Sequence, residues 1–373
     1  MNQPQRFLSL DVFRGMTVCF MIIVNTPGSG AQPFSMLEHA AWHGFTPTDL
    51  VFPSFLFAVG NAMSFSAKKF ALMSDREVLG KIFKRTLLIF LIGYLMYWFP
   101  FFHYNEAGGI SFSPIGNTRI MGVLQRIALC YGVVSLMVHY LSTRWVMVLS
   151  ILFLIGYWLL LLIFGDSSDP LSMTGNAGQY LDQFLLGNAH LYHGEGIPFD
   201  PEGILSTIPS CVNVVIGYFA GKFIQEKGKG FESMARLLLA GVLLVFLAWC
   251  WNFSFPINKK LWTSSFVLIT CGLDLIIIAA LIYIIELKSY VKWTGFFTVF
   301  GKNPLFIYIV ADLLLVIINT IFPKSDFAGW INTVFFQAIA PGPFGSLLFA
   351  ICFMLVCWLI GYVLDKKKIY IRV

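Results

Sequence analysis

Long uninterrupted apolar runs are the feature that most limits what this chain can fold into. Most are close to 20 residues, the length at which an α-helix crosses a hydrocarbon core of about 30 Å. Only 12% of the 373 residues are charged and 58% are hydrophobic, whereas a soluble domain averages about 25% charged residues. The sequence therefore predicts an all-α fold, a polytopic transmembrane helical bundle, and argues against a soluble enzyme.

Polar breaks divide the apolar runs into about ten predicted spans. No internal repeat, low-complexity segment or soluble domain interrupts them, so residues 1–373 are predicted to form a single transmembrane domain. The first run has no small-residue cleavage site and is predicted to be a retained helix. The predicted spans are 12–26, 48–66, 82–99, 119–140, 145–164, 203–223, 234–252, 262–286, 303–322 and 344–365.

Lysine and arginine residues cluster in alternate loops and predict the orientation of the chain. The basic segments are 67–85, 222–236, 286–302 and 366–372. The positive-inside rule places these segments and both termini in the cytoplasm, and loops 27–47, 100–118 and 165–202 on the opposite, outer face. The net charge of +6 is thereby explained without a nucleic-acid partner. Basic residues that run against the rule are Arg119, Lys259, Lys260 and Lys324.

Titratable residues crowd the segment LEHAAWHGFTPTDLVFPSF, residues 37–55, just before an apolar run. Thr46 and Asp49 have the spacing of a capping box with a proline between them, so Asp49 has a purely structural interpretation. His39 and His43 are four residues apart, which in a helix would put them on one face. Histidine suits general-base catalysis, but a surface or interfacial role is the alternative. Two histidines are too few to specify a metal site.

Further polar residues are predicted on the same outer face. Asn25 ends the first span, and Arg119 and Arg126 flank the start of the fourth. An arginine inside an apolar helix is costly and normally faces a partner or a cavity. The structural alternative is an ion pair with Asp49 or Asp200.

Two more loops contribute to this predicted cluster. Asp200 and Glu202 precede an apolar run, where acids complement a helix dipole. Lys259 and Lys260 stand beside Trp262, which has the position of an ordinary interfacial aromatic residue. Together these residues predict a functional site at one membrane face, with a sugar transporter still as compatible as an enzyme.

Five stretches carry a resemblance to a known family: RFLSLDVFRGMTVCFMIIVN, HAAWHGFTPTDLVFPSFLFAVG, GVLQRIALCY, FDPEGILSTI and INKKLWTSSFVLIT. They resemble the heparan-α-glucosaminide N-acetyltransferase family of membrane enzymes, and the resemblance runs in order from about residue 6 to the C-terminal tail. It implies transfer of an acetyl group from acetyl-CoA, as co-substrate, to the amine of a terminal glucosamine, with donor and acceptor on opposite membrane faces.

The resemblance also implies which residue is catalytic, and side-chain chemistry predicts roles for the others; no metal is predicted. His39, the first histidine of H-x-x-W, is the catalytic residue, either as a general base or as the carrier of an acetyl-imidazole intermediate. Asp49 would orient its ring and Asn25 would donate an amide hydrogen bond. Predicted substrate-binding residues are Asp200, Glu202, Trp262 and His43. Predicted acetyl-CoA-binding residues are Arg14, Arg119, Arg126, Asn258, Lys259 and Lys260.

Two other functions fit the same residues. One is transport of amino sugars, against which the missing inverted repeat counts mildly, and the other is O-acetylation of envelope polysaccharide. The expected location is a multi-pass position in a bacterial inner membrane, in contact with the lipid bilayer. Gly217 and Gly221 form a GxxxG-like pair, a weak signal for helix packing that allows a homodimer.

Overall fold

The computed structural model describes residues 7–28, 32–105, 109–321 and 327–371, which form a helical bundle. The all-α, polytopic prediction is confirmed. Strands in the described residues are limited to one antiparallel hairpin, β1 (Phe102–Tyr104) and β2 (Ile110–Phe112). The long helices are α1 (Leu8–Asn25), α2 (Val51–Phe70), α3 (Asp75–Trp98), α4 (Val123–Tyr140), α5 (Thr143–Phe164), α7 (Thr207–Lys227), α8 (Phe231–Asn252), α9 (Ser264–Leu281), α11 (Pro304–Ile321) and α14 (Pro343–Lys366).

Shorter elements connect these helices. Short α-helices are α6 (Ala177–Leu186), α10 (Thr294–Lys302), α12 (Phe327–Ile331) and α13 (Gln337–Ile339). The 3-10 segments are Ser35–Leu37, Pro47–Leu50, Ile115–Asn117 and Asn188–His190, and Ile282–Leu287 and Asn332–Phe336 are π-helical.

Each of the ten predicted spans coincides with one long helix. Nine of these helices, within the described residues, are long and apolar enough to cross a membrane by length and composition. The tenth, α3, has 24 residues but carries charged side chains through its first half. Of the basic residues predicted on the outer face, Lys324 lies outside the described residues.

Helix α7 lies at the centre of the bundle and α8 at its periphery. In the most apolar window of α7 72% of residues are buried, against 22% in α8. Helices α2 and α7 pack with almost no side chain between them: a Cβ atom added at Gly60 would lie 1.9 Å from the Val214 carbonyl oxygen, and one at Gly217 2.0 Å from that of Phe57. The predicted small-residue pair of α7 thus packs inside the chain, against α2.

The loops predicted on the outer face meet at one end of the bundle. The Gly44 amide donates to the Ile257 carbonyl at 2.8 Å, and the Trp42 indole donates to the Leu171 carbonyl at 3.0 Å. The Ile120 amide donates to the His190 carbonyl at 3.2 Å. These bonds join the loops that follow α1, α3, α5 and α8, so polar residues distant in sequence share one surface.

Candidate active site

His39 contacts both a carboxylate and an amine at this end of the bundle. Its Nδ1 is 2.7 Å from Oδ1 of Asp49, and Nζ of Lys259 lies over the ring, 3.0 Å from Nδ1 and 2.9 Å from Nε2. The Asp49 carboxyl is fully buried, whereas the His39 side chain is 41% exposed. A carboxylate fixes the tautomer and orientation of an imidazole, so Nδ1 carries the proton and Nε2 is the basic nitrogen.

Asp49 uses its two carboxylate oxygens for different purposes. Oδ2 accepts hydrogen bonds from the backbone amides of Ala40 at 3.2 Å and Thr46 at 3.0 Å, and from the Thr46 hydroxyl at 3.1 Å. This is the predicted capping box, with Pro47 in the first turn of the segment that leads into α2. Oδ1 remains directed at His39. The structural and the functional interpretation of Asp49 are therefore both compatible with its geometry.

The predicted helical relation between His39 and His43 is wrong. The 3-10 segment ends at Leu37, and residues 38–46 form an irregular loop held by hydrogen bonds to Asp49 and Ile257. His39 and His43 nevertheless contact the same neighbouring loop. Nδ1 of His43 is 3.3 Å from the side-chain nitrogen Nδ2 of Asn258, and His39 contacts the next residue, Lys259. Partial desolvation lowers the pKa of His43, opposed by the negative charge of Asp169.

Lys259 is held in a largely buried position next to His39. Its side chain is 16% exposed, and Nζ lies 4.0 Å from Asp49 Oδ1. Burial lowers the pKa of Lys259 to about 8, against the opposing effect of Asp49 and Glu202. The neighbouring Lys260 points elsewhere, to the Glu195 carboxylate at 2.5 Å and the Ala41 carbonyl at 3.0 Å.

Arg119, a predicted acetyl-CoA contact, forms an ion pair with both predicted substrate-binding acids. Its guanidinium contacts Asp200 in a bidentate arrangement at 2.9 and 2.6 Å, and Glu202 at 2.6 Å. The rings of Tyr97 and Tyr192 lie 5.0 and 4.7 Å from the guanidinium carbon. The structural alternative, an Arg–Asp200 pair, is thus the observed one. Burial opposes ionisation of Glu202, but the charges of Arg119 and nearby cations hold its pKa below the ordinary value.

Arg126 and Trp262 form a buried pair behind the His39 loop. The guanidinium lies 4.7 Å from the Trp262 ring, whose indole donates to Asn213 Oδ1 at 3.1 Å. Trp262 is fully buried, so its interpretation as an interfacial belt residue is wrong. The Arg126 Nη2 donates to the Gly203 carbonyl and to Ser206, while its Nε and Nη1 have no hydrogen-bond partner among the described residues.

Arg14 and Asn25 lie apart from this cluster. Arg14 lines a cavity of about 780 Å³ between α1, α2, α3, α4 and the α10–α11 junction, together with Arg85 and Lys302. Arg14 precedes Asn25 by eleven residues of α1, or about 16 Å along the helix axis. Asn25 is exposed, and within the described residues no hydrogen bond joins it to His39 or Asp49. Its amide role stays a prediction.

A second cavity, of about 540 Å³, opens beside Arg119, at the end of the bundle where the polar loops meet. Aromatic rings and hydrogen-bonding side chains share its wall, an inventory suited to a ligand rich in hydroxyl groups. Its lining includes Tyr97, Trp98, His103, Asn117, Tyr192 and His193.

Sequence reasoning missed three residues that shape the site. Asn213, inside α7, joins Trp262 to Thr270 of α9. Asp182 on α6 accepts a hydrogen bond from the Ile204 amide at 2.9 Å, and burial raises its pKa to about 7. Glu195 pairs with Lys260. Only Asn213 carried a signal, as an uncharged amide within an apolar run.

Comparison with known proteins identifies relatives over most of the chain. Residues 6–248 match the family model described as "Heparan-alpha-glucosaminide N-acetyltransferase, catalytic". Heparan-alpha-glucosaminide N-acetyltransferase of Homo sapiens is 30% identical over 82% of this chain and 52% of its own length. The Mus musculus enzyme of the same name is 28% identical over 84% of this chain and 54% of its own length.

The chain spans about half the length of these curated relatives. The matched range contains His39, Asp49, Arg119, Asp200 and Glu202, whereas the Lys259 loop follows it. The match and the apolar helices agree on a multi-pass membrane protein of a transferase family. The chain belongs to the heparan-alpha-glucosaminide N-acetyltransferase family.

Proposed function

We propose that this protein transfers an acetyl group from acetyl-CoA to the amine of glucosamine or of a terminal glucosaminide. The observation that carries this proposal is the placement of His39. Its Nδ1 is bound by a buried carboxylate at 2.7 Å, which leaves Nε2 as the basic nitrogen, and its side chain is 41% exposed. An oriented imidazole with an accessible basic nitrogen is what the removal of a proton from a nucleophilic amine requires.

In a direct transfer the acceptor amine approaches Nε2 of His39 in its neutral form. The amine nitrogen forms a bond with the thioester carbonyl carbon, its proton passes to Nε2, and the carbon–sulfur bond breaks to release CoA thiolate. Asp49 stabilises the imidazolium that results. In the two-step alternative Nε2 itself bonds to the thioester carbonyl carbon, and the carbon–sulfur bond breaks to release CoA thiolate. The neutral acceptor amine then attacks the acetyl carbon, the bond from that carbon to Nε2 breaks, and the amine proton passes to Nε2. Both routes need the same tautomer of His39.

For the donor, we propose the cavity that contains Arg14. Arg14 and Arg85 supply positive charge for phosphate groups, while Phe55 and Ile127 supply apolar wall. Lys302 also lines this cavity, but its amine is paired with Asp365 at 2.7 Å. Arg126 precedes Ile127, which lines that cavity, in α4, and it has two buried N–H donors without partners in the described chain. These donors support the predicted contact of Arg126 with the acetyl-CoA molecule. Contacts of Arg119, Asn258, Lys259 and Lys260 with the cofactor stay predictions.

For the acceptor, we propose the cavity beside Arg119. Arg119 lines this cavity and forms ion pairs with Asp200 and Glu202. We therefore retain these two acids as predicted contacts of the acceptor. Trp262 has no exposed surface for a substrate. Residence in a bacterial inner membrane, a single functional domain over residues 1–373 and a homodimer stay predictions.

The test is acetyl transfer by purified protein in detergent. Acetyl-CoA with a labelled acetyl group is offered with glucosamine, or with N-acetylglucosamine, whose amine is blocked. Labelled product from glucosamine alone is expected, with a loss of about 10²–10⁴-fold in His39→Ala. A matched control is His139→Ala, because His139 also pairs with an aspartate, Asp75 at 3.0 Å, but at the opposite end of the bundle.

Other outcomes assign other functions. Product from the amine-blocked sugar would indicate O-acetylation. No transfer by folded protein to either sugar, with uptake of glucosamine into proteoliposomes that survives His39→Ala, would indicate a transporter.

A further inference from the structure

An amine of the protein lies beside the catalytic base. Nζ of Lys259 is 2.9 Å from Nε2 of His39 and 3.0 Å from Nδ1, and these nearly equal distances place the amine over the face of the imidazole ring. Because Asp49 engages Nδ1 at 2.7 Å, Nε2 is the nitrogen that has a free electron pair to take a proton from this amine. A primary amine within hydrogen-bond reach of the base is what the transfer step requires of its nucleophile.

The backbone around Lys259 holds the amine in this place. The Trp262 amide donates to the Lys259 carbonyl at 3.0 Å, and the Leu261 amide donates to Asn258 Oδ1 at 2.8 Å. The Asn258 amide donates to the Thr263 hydroxyl at 3.0 Å. Trp262 adopts a left-handed backbone conformation, φ 54°, which a bulky residue keeps only when its surroundings impose it. The amine therefore lies on a fixed loop.

The chemistry of Lys259 also suits a nucleophile. Its side chain is 16% exposed, and burial lowers its pKa to about 8. At pH 7 roughly one molecule in ten then carries the neutral amine. An exposed lysine at the ordinary value of 10.5 has less than about one in a thousand. Lys259 is thus the more reactive of the two adjacent lysines, since Lys260 is paired with Glu195 at 2.5 Å.

We propose that Lys259 is an internal acetyl acceptor, modified by the same donor and base that act on the sugar. The proposal rests on the proposed use of an acetyl thioester as donor. Neutral Nζ bonds to the carbonyl carbon of acetyl-CoA, its proton passes to Nε2 of His39, and the carbon–sulfur bond breaks to release CoA thiolate. The product is the N-acetyl amide of Lys259, formed when no acceptor fills the site.

Acetylation of Lys259 would inhibit the enzyme. The amide nitrogen has no basic electron pair and no positive charge, and the acetyl group adds bulk beside Nε2 of His39. The modified side chain would exclude the acceptor amine from the base. Glucosamine at saturating concentration is expected to protect Lys259, because both amines compete for one position.

The experiment is mass spectrometry of the whole chain after incubation with acetyl-CoA. Purified protein is incubated with labelled acetyl-CoA, with and without glucosamine, and each lysine peptide is quantified. Lys260 is the neighbouring internal control, and the exposed Lys68 and Lys69 report non-enzymatic acetylation. Treatment with hydroxylamine removes any acetyl-imidazole and leaves acetyl-lysine. The variants are His39→Ala and Lys259→Arg, with folding checked by thermal unfolding.

Acetylation of Lys259 about 100-fold above that of Lys68, lost in His39→Ala and reduced by glucosamine, is the expected result. Lys259→Arg should show no hydroxylamine-stable label at this position. Equal labelling of Lys259 and Lys68, or none at Lys259, would overturn the inference. Transfer to glucosamine is measured separately in the same reactions. Acetylated glucosamine without labelled Lys259 would refute only the inference about Lys259. Labelled Lys259 without acetylated glucosamine would refute only the proposed acceptor.

Discussion

Asp49→Asn separates the catalytic role of Asp49 from its capping role. In the wild type the backbone amides of Ala40 and Thr46 donate to Asp49 Oδ2 at 3.2 and 3.0 Å. Asparagine keeps one side-chain oxygen, which can still accept these two hydrogen bonds. Its NH₂ group then replaces Oδ1 opposite Nδ1 of His39. An amide N–H donates where the carboxylate accepted, so the imidazole proton moves to Nε2 and the base is lost.

The two roles predict effects of different size. Loss of the base lowers kcat by about 10²–10⁴-fold, which corresponds to roughly 3–5 kcal/mol of activation free energy. The free energy of unfolding should change by no more than about 1 kcal/mol, since the cap oxygen remains.

The assay combines acetyl transfer to glucosamine with thermal unfolding in detergent. Thr46→Val is the control for the cap, because it removes the hydroxyl bonds to Asp49 Oδ2 at 3.1 Å and to the Glu38 carbonyl at 2.7 Å but keeps the carboxylate that Nδ1 of His39 contacts. It should cost about 1 kcal/mol of stability with little change in kcat. If Asp49→Asn keeps kcat within tenfold of the wild type and melts like Thr46→Val, Asp49 is only a cap.

Three further substitutions test the packing and charge of the bundle. Burial raises the pKa of Asp182 from 3.8 to about 7, so between pH 4 and pH 7 the Asp182 carboxyl is protonated in the folded state but ionised in the unfolded state. The free energy of unfolding should therefore fall by up to about 4 kcal/mol as the pH rises from 4 to 7. Asp182→Asn should flatten that slope in melting curves, and an unchanged slope would contradict it. Gly60→Ala, with a Cβ 1.9 Å from a carbonyl oxygen, should cost about 1–3 kcal/mol, whereas Gly80→Ala, with nothing within 4 Å, should not destabilise; equal melting temperatures would refute the packing. Arg119→Ala should cost about 3–5 kcal/mol by stranding two buried acids, far more than Arg236→Ala in an exposed pair.

The sequence was sufficient to predict the spans and most of the residues that meet at one end of them, with Arg14 and Asn25 as the exceptions. Apolar run length depends on local composition, and the capping box at Thr46 and Asp49 is a local motif, so both could be read directly. The contact of His39 with Lys259 could not be predicted from the sequence. Lys259 lies 220 positions further along the chain, and the two residues meet because α2 packs against α9.

The errors have the same physical cause. The spacing of His39 and His43 suggested a helix, but bonds from distant residues to the loop backbone outweigh a weak local preference. Trp262 had the position of a surface residue, yet its turn directs the ring inward to Asn213. Arg14 and Arg119 were grouped by charge alone, and the fold places them in different cavities.

The contact of α2 with α7 has a mechanical consequence for turnover. Backbones that touch at Gly60 and Gly217 cannot slide past each other without a steric clash, so the two helices behave as one rigid body. Asp49 stands at the leading end of α2, and Asp200 and Glu202 lie just before α7. The carboxylate behind the imidazole and the acid pair around Arg119 therefore keep a constant separation, and any opening that admits a substrate must come from parts of the bundle outside this pair.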